Sequence, residues 1–121
     1  SLHVFIDAPK PVFTSPPFRC SDWFNSGNSI CSSGLALSRD FLLKHRAPVM
    51  ESLDQLAGKH PELIVWDPFP ILCPTDTCSA FDKDGPLFFD GDHLTAHGDR
   101  VLYPSFVALL ETIWLSKPVN Q

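Results

Sequence analysis

The sequence predicts an α/β fold, and three features along the chain support this prediction. Residues 3–7 and 63–66 are short apolar runs, each followed within two residues by a proline. Between them, residues 39–57 carry apolar side chains at helical spacing. A strand, a helix and a strand in this order form a right-handed βαβ unit. We therefore expect the two apolar runs to be parallel neighbours in one sheet.

The first strand is expected to run from His3 to Asp7, to be buried, and to enter a loop at Pro9. Residues 11–34 are rich in Pro, Ser, Asn and Gly. Because these residues favour turns and irregular backbone, we interpret this segment as one long surface loop.

The central helix is expected to begin after Ser38, whose hydroxyl suits an N-cap, and to end near Gly58. Pro48 should kink or split it. Its apolar stripe is formed by Phe41, Leu42, Val49, Met50, Leu53 and Leu56. The second strand, at residues 63–66, is apolar at every position, which suits a parallel strand covered by helices on both faces.

The remaining elements lead to a last helix. Residues 68–80 are predicted to be a second loop, Asp84-Gly85 a turn, and residues 86–89 a short apolar segment. The last helix is expected to begin after Thr95 and to bend at Pro104. Its apolar positions are Leu102, Phe106, Leu109, Leu110, Ile113 and Trp114, and we expect Trp66 and Trp114 to pack in the core.

Charge and hydropathy argue against two classes of function. The formal net charge is −5, from 14 acidic and 9 basic residues, and the densest basic cluster is residues 44–46. Nucleic-acid binding needs clustered Lys and Arg to neutralise phosphates, so we expect no nucleic-acid partner. No apolar run approaches the roughly 20 residues that a membrane helix needs.

The four cysteines form two local pairs, Cys20 with Cys31 and Cys73 with Cys78. Neither pair has the C-x-x-C spacing of a zinc ribbon or a thioredoxin-type site. Four cysteines allow three pairings. Because both local pairs lie in Pro- and Ser-rich loops that a disulfide would restrict, we predict these two disulfides and an oxidising compartment.

Residues 88–98 carry the chemically informative pattern, Phe-Phe-Asp-Gly-Asp-His-Leu-Thr-Ala-His-Gly. Asp90 lies three residues before His93, between an apolar segment and a helix N-cap. At this spacing the carboxylate can accept the Nδ1–H of the imidazole, which fixes the tautomer and points Nε2 toward a hydroxyl. Gly91 would allow a tight turn, and Leu94 would anchor it. We predict that Asp90 orients His93 and that His93 is a general base.

An Asp-x-x-His-Leu-Ser/Thr block before a final helix resembles the last block of the SGNH/GDSL hydrolase superfamily. The surrounding segments resemble more closely the SGNH domains fused to membrane acyltransferase-3 proteins, which O-acetylate bacterial surface polysaccharides. The matching segments span most of the chain and are residues 4–9, Cys20, residues 65–68, Cys73, Cys78 and residues 90–95. The resemblance implies a three-layer flavodoxin-like sandwich with a mostly parallel sheet.

The chain departs from this family in the earlier blocks. The family's Gly-Asp-Ser nucleophile and the Gly and Asn that help to form its oxyanion hole are not found, and neither is a G-x-S-x-G elbow. Residues 26–28 spell Ser-Gly-Asn, but they lie in a loop with other neighbours. We therefore expect residues 1–121 to be the C-terminal part of one SGNH-like domain and to lack nucleophilic chemistry alone. The strand edge that the other part would cover is expected to be exposed or to form a homodimer.

The resemblance implies transfer of an acetyl group to a cell-surface carbohydrate hydroxyl by a Ser-His-Asp mechanism, as in O-antigen acetylation of lipopolysaccharide. This chain would supply Asp90 and His93. No cofactor is expected within the chain, and the parent protein would use an acyl donor such as acetyl-CoA. The implied partners are the carbohydrate and the parent protein's membrane acyltransferase domain. The implied location is the periplasmic face of a bacterial inner membrane.

Other interpretations fit the same residues. A carbohydrate esterase of the SGNH family would use the same Asp and His with water as the acceptor. A non-catalytic carbohydrate-binding or accessory domain would use them structurally. Asp90, His93 and His97 could hold a metal, but no third His or Cys cluster lies near, so we assign no metal ligand. Residues 82–85 resemble the start of a calcium loop without its later ligands, and Asp92 is interpreted as a solvated turn residue.

Overall fold

The computed structural model describes residues 2–116. Its strands are β1 (Val4–Asp7), β2 (Ala36–Ser38), β3 (Leu63–Trp66), β4 (Thr77–Ser79), β5 (Phe81–Asp82) and β6 (Gly85–Pro86). Its helices are α1 (Pro17–Cys20), α2 (Arg39–Lys59), α3 (Phe69–Leu72) and α4 (Ala96–Leu115), with 3₁₀ turns at Trp23–Asn25 and Ser29–Cys31. None of the helices in this range is long and apolar enough to cross a membrane.

The predicted βαβ unit is confirmed. Strands β1 and β3 pair in parallel, with Val4 opposite Leu63 and Asp7 opposite Trp66, and α2 lies between them in the chain. The other two pairs, β2 with β4 and β5 with β6, are antiparallel. A mostly parallel sheet is therefore not observed within residues 2–116. For β5 and β6 the reason is connection length, because their two-residue link allows only a hairpin, whereas parallel pairing needs a long crossover. Strands β2 and β4 are joined by residues 39–76, so connection length does not explain their antiparallel pairing.

The predicted cap of α2 is confirmed, since Ser38 Oγ accepts a hydrogen bond from the amide of Phe41 at 3.3 Å. The helix runs through Pro48 without splitting. The helix ends near Gly58, as predicted: α2 continues one residue further, to Lys59, and His60 adopts extended backbone. The following Pro61 explains this end, since a residue before proline disfavours helical dihedrals.

The apolar stripe predicted on α2 is only partly buried. Leu42 is buried, whereas Phe41 is 57% exposed, and Val49 and Leu56 are also exposed. A two-stranded sheet covers only a narrow strip of a helix, so the flanks of the stripe remain in solvent. The two strands of this sheet are likewise only half-buried, with Val4 exposed, and not fully buried as predicted.

The hydrophobic core cluster lies outside the parallel pair, since none of its buried members belongs to β1 or β3. These members are Phe13, Leu42, Phe69, Leu72, Cys73, Cys78, Ala80, Leu87, Phe88 and Leu102. The Cys73–Cys78 disulfide is therefore part of the core, and the Cys20–Cys31 disulfide closes the loop near the surface. Both predicted pairings are confirmed.

The segments 11–34 and 68–80 were both predicted to be loops, but they contain short regular elements. The first holds α1 and the two 3₁₀ turns, and the second holds α3 and β4. Elements of three or four residues are too short to show a hydrophobic period, so composition alone could not reveal them.

A single ion pair ties together the C-terminal ends of β1 and β3. Arg46 on α2 donates to both carboxylate oxygens of Asp67, at 2.8 and 2.9 Å, and its guanidinium also donates to the carbonyl of Pro9. The same guanidinium lies 4.2 Å from the centroid of the Phe69 ring. Burial opposes ionisation of Asp67, but the hydrogen bonds from Arg46 and from the amide of Phe69, together with the charge of Arg46, outweigh it and lower the pKa of this carboxyl. A bidentate Arg–carboxylate pair fixes orientation as well as distance.

Helix α4 begins as predicted. Thr95 Oγ1 accepts the amide of Gly98 at 3.0 Å, and the helix passes through Pro104 to Leu115. Trp66 is half-buried and donates its indole N–H to Ser105 at 3.1 Å. The prediction that Trp114 is a core residue is wrong, since it is 70% exposed. Trp114 lies in the last turn of α4, close to the end of the described residues.

Candidate active site

The segment that carries Asp90 and His93 is a tight turn whose two ends are hydrogen-bonded to each other. Phe88 and Leu94 form an isolated antiparallel bridge, and the amide of Phe89 donates to the carbonyl of His93 at 2.7 Å. The cap at Thr95 starts α4 directly after this bridge. Phe88 is fully buried. The backbone of the turn is therefore held by a core residue before it and by a capped helix after it.

The turn is also clamped by the loop that follows β1. The amide of Phe13 donates to the carbonyl of Gly91 at 2.8 Å, and the amide of Phe18 donates to the carbonyl of Phe89 at 3.3 Å. A Cβ at Gly91 would overlap the carbonyl oxygen of Phe13. Gly91 is therefore required by this close approach of two backbone segments.

Asp90 uses its carboxylate to organise the turn and the imidazole together. Oδ1 accepts the amides of Asp92 at 3.0 Å and His93 at 2.8 Å, and Oδ2 lies 2.9 Å from His93 Nδ1. The hydrogen bonds from the amides of Asp92 and His93 lower the pKa of the Asp90 carboxyl well below its ordinary value. Asp90 is therefore an anion at neutral pH, as an orienting carboxylate must be.

His93 presents its other ring nitrogen to solvent. Its side chain is 76% exposed, and among residues 2–116 Nε2 has no hydrogen-bond partner. The hydrogen bond that His93 donates to Asp90, together with the charges of Asp90 and Asp92, raises the pKa of His93 above 6.5. An imidazole held at Nδ1 by a carboxylate and open at Nε2 has the arrangement that a general base needs.

Asp92 belongs to the same group, although its sequence position indicated only a solvated turn residue. Its Oδ1 lies 3.0 Å from His93 Nδ1, and its side chain is 65% exposed. The imidazole therefore faces two carboxylates rather than one. The Asp-Gly-Asp-His spacing contained this information, because both acidic residues lie within three positions of the histidine.

His97 does not join His93. Its Nε2 lies 2.8 Å from both carboxylate oxygens of Asp82, across the β5–β6 hairpin. Burial opposes ionisation of Asp82, but the hydrogen bonds from His97 and from the amides of Asp84 and Gly85 together outweigh it and lower the pKa of the carboxyl. The metal set of Asp90, His93 and His97 considered from the sequence is therefore not assembled.

Within residues 2–116, two other groups of three side chains bring possible metal ligands together. They are Asp82, Asp84 and His97, and Asp90, Asp92 and His93, each with its ligand atoms within 4.8 Å of one another. In both groups the imidazole already lies within hydrogen-bond distance of a carboxylate. Since exposed acidic side chains commonly cluster without a metal, neither group is assigned as a metal centre.

A cavity of about 290 Å³ opens beside the turn, between the end of β1 and helix α4. Its wall includes Leu94, which follows His93, and the charged side chains of Asp7, Lys10 and Asp99. The aromatic side chains of Trp66, Tyr103 and Phe106 complete much of the lining. The cavity is open on one side and adjoins the segment of Asp90 and His93 through Leu94.

Comparison with known families identifies the family of this chain. Residues 2–108 match the family described as the SGNH domain fused to AT3 domains, and the chain belongs to this family. The resemblance inferred from the Asp-x-x-His block and the cysteine loops is thereby confirmed. No curated protein and no solved structure matches the chain significantly.

Proposed function

We propose that this chain contributes the Asp and His of a Ser-His-Asp acyltransferase that transfers an acetyl group to a carbohydrate hydroxyl. Asp90 orients the imidazole, and His93 removes the proton from the attacking hydroxyl. Membership of the SGNH family fused to AT3 domains supports an acyltransferase or esterase activity in general. The finer assignment rests on the geometry of Asp90 and His93.

The observation that carries the proposal is that the two ring nitrogens of His93 have different surroundings. Nδ1 lies 2.9 Å from an ionised carboxylate, and the side chain that carries Nε2 is 76% exposed. A merely structural Asp–His pair gains nothing from leaving a donor or acceptor atom unused at the surface. In a triad, by contrast, this atom must be free to meet the nucleophile.

The nucleophile is proposed to lie outside these 121 residues. The chain contains no Gly-Asp-Ser block, and a Ser-His-Asp mechanism needs the serine and its oxyanion donors. In the complete domain, the parallel pair β1–β3 would extend into the three-layer flavodoxin-like sandwich that the family implies. The acyl donor would be a thioester such as acetyl-CoA, delivered through the membrane acyltransferase domain of the parent protein.

Fusion to AT3 domains favours transfer over hydrolysis, because a membrane acyltransferase partner can supply an acyl group. The two disulfides are consistent with an oxidising compartment, and we propose the periplasm of a bacterium as the location. The acceptor would then be a polysaccharide of the cell surface.

The experiment compares the 121-residue chain with a protein extended upstream to include the serine block. With p-nitrophenyl acetate as substrate, the chain should release p-nitrophenol no faster than free histidine does, and the extended protein should turn over. Acetyl transfer to a de-O-acetylated surface polysaccharide should exceed hydrolysis in the extended protein. Turnover by the chain alone would overturn the assignment of the nucleophile, and hydrolysis without transfer would identify an esterase.

A further inference from the structure

Two exposed aromatic side chains lie in the Cys20–Cys31 loop, and a second pair of exposed rings lies just before it, where Phe18 meets Phe89. Trp23 is 85% exposed and Phe24 is 64% exposed, and Phe18 and Phe89 are each about half exposed. We call Phe18, Trp23, Phe24 and Phe89 the aromatic patch. Large apolar side chains clustered in solvent cost solubility, and such patches mark binding surfaces.

The aromatic patch is attached to the segment that carries His93. The Phe18 and Phe89 rings lie 5.2 Å apart between centroids, and their backbones share a hydrogen bond from the amide of Phe18 to the carbonyl of Phe89. Phe89 directly precedes Asp90. The Cys20–Cys31 disulfide closes the loop that holds Trp23 and Phe24, whose rings meet edge to face at 5.8 Å. Phe18 and Phe89 therefore lie beside the segment that carries Asp90 and His93, and Trp23 and Phe24 follow Phe18 within six residues.

A pocket lined by both polar and apolar side chains opens in the same loop. It has a volume of about 200 Å³ and is lined by Pro16, Arg19, Asn25, Asn28, Ile30 and Cys31. Asn25 Nδ2 donates to the carbonyl of Arg19 at 2.9 Å, and Asn28 Oδ1 accepts the amide of Ile30 at 3.1 Å. These hydrogen bonds do not use Oδ1 of Asn25 or Nδ2 of Asn28, so both atoms remain available to a ligand. In the described part of the chain, no carboxylate lies within ion-pair distance of the Arg19 guanidinium.

We propose that the Cys20–Cys31 loop is the surface that binds the carbohydrate acceptor of this enzyme. The aromatic patch would stack against the C–H faces of sugar rings, and Arg19, Asn25 and Asn28 would bond their hydroxyls. This inference rests on the proposed function, since Phe89 of the patch directly precedes Asp90. Apolar rings whose neighbours in the sequence are guanidinium and amide side chains, as Phe18 precedes Arg19 and Phe24 precedes Asn25, match a sugar, whose faces are apolar and whose edges carry hydroxyls.

The charge of the loop argues for a carbohydrate over a lipid surface. Between residues 17 and 31 there is one basic residue, Arg19, and one acidic residue, Asp22. Peripheral binding to anionic membranes depends on several Lys or Arg side chains around the apolar anchor. This loop has no such excess.

Binding to defined glycans tests the proposal without needing catalysis. The probes are chitotetraose, maltotetraose and a de-O-acetylated bacterial surface polysaccharide, titrated into the 121-residue chain by calorimetry. The indole N–H resonance of Trp23 should shift with at least one probe. Trp23→Ala and Phe24→Ala should each weaken that binding about tenfold or more, and Trp23→Phe should retain most of it.

Two matched variants separate this inference from the proposed function. Trp114→Ala removes a tryptophan that is also largely exposed, at 70%, and that lies in the last turn of α4. This variant should bind glycan as the unsubstituted chain does. His93→Ala should also bind normally, because it changes catalysis and not the patch. Loss of activity in His93→Ala with unchanged binding in Trp23→Ala would overturn the inference and leave the proposed function standing.

The competing occupant of the patch is another part of the parent protein. Acrylamide quenching of Trp23 in the extended protein, without glycan, decides this point. Ready quenching supports an open glycan surface. Protection of Trp23 in the absence of glycan would mean that protein covers the patch, and the inference would fail. Absence of binding to every probe would also overturn it.

Discussion

Two Asp–His pairs lie close together in this chain, and they differ in almost every respect except distance. His93 Nδ1 lies 2.9 Å from Asp90, and His97 Nε2 lies 2.8 Å from Asp82. The His93 side chain is 76% exposed, whereas the His97 side chain is 24% exposed. One pair joins residues three apart in a turn, and the other joins a hairpin to a helix across 15 residues.

The comparison shows that an Asp–His contact does not by itself identify a catalytic pair. Asp82 occupies Nε2 of His97, the nitrogen that a triad histidine must offer to the nucleophile. Asp90 occupies Nδ1 of His93 and leaves Nε2 facing solvent. Which ring nitrogen the carboxylate holds, and whether the other is accessible, separates a catalytic geometry from a structural tether.

The largest difference between the pairs should appear when each carboxylate is neutralised. In the extended protein, Asp90→Asn should lower kcat by about 10⁴-fold, because an amide presents the wrong tautomer to the imidazole. Asp82→Asn should leave kcat within about threefold and affect mainly stability. Steady-state kinetics on an acetyl ester measures both. A comparable loss in Asp82→Asn would contradict the division of roles.

The backbones of the two pairs should also respond differently to an added methyl group. Gly91→Ala should destabilise the fold by about 1–3 kcal/mol, because its Cβ would overlap the Phe13 carbonyl. Gly85, in the hairpin, has open space around it but a φ of +141°, so Gly85→Ala should cost about 1–3 kcal/mol through backbone strain alone.

Gly27→Ala is the matched control for both glycines, since nothing lies within 4 Å of its Cβ position and its φ is ordinary. Its effect should be within about 0.5 kcal/mol. Denaturant unfolding gives the three free energies. If Gly91→Ala unfolds at the same denaturant concentration as Gly27→Ala, the clamp between the two loops is not formed in solution.

The smallest expected effect is a shift in a single titration. NMR should place the pKa of His93 above 6.5, and Asp92→Asn should move it back toward that value, because one of the two neighbouring charges is removed. Asp84→Asn, beside the other pair, should not move it. Unchanged titration of His93 in Asp92→Asn would show that Asp92 does not face the imidazole.

The raised pKa of His93 determines how stability and activity should depend on pH. A raised pKa in the folded state means that protonated His93 favours the fold at pH values below 6.5, and this contribution is lost as the pH rises through the folded pKa. The general base must be neutral, so the acid limb of kcat/KM should lie above pH 6.5 and move down in Asp92→Asn.

Local sequence signals predicted the parts of this molecule that depend on nearby residues. The caps at Ser38 and Thr95, the disulfides, and the Asp90–His93 contact all involve short separations or turn chemistry. The contact of His97 with Asp82 could not be predicted, because it depends on where the hairpin lies against α4. Trp114 carries the helical period of a core residue, but burial depends on what covers the helix.

The measurement that tests the account most directly is the kcat of His93→Ala beside that of His97→Ala, in the extended protein with a polysaccharide acceptor. The account predicts that His93→Ala loses at least about 10⁴-fold in acetyl transfer, as expected when a triad base is removed. His97→Ala should remain within severalfold of the unsubstituted protein once its folding has been verified by circular dichroism. Transfer by His93→Ala at an undiminished rate would contradict the central claim that His93 is the catalytic base.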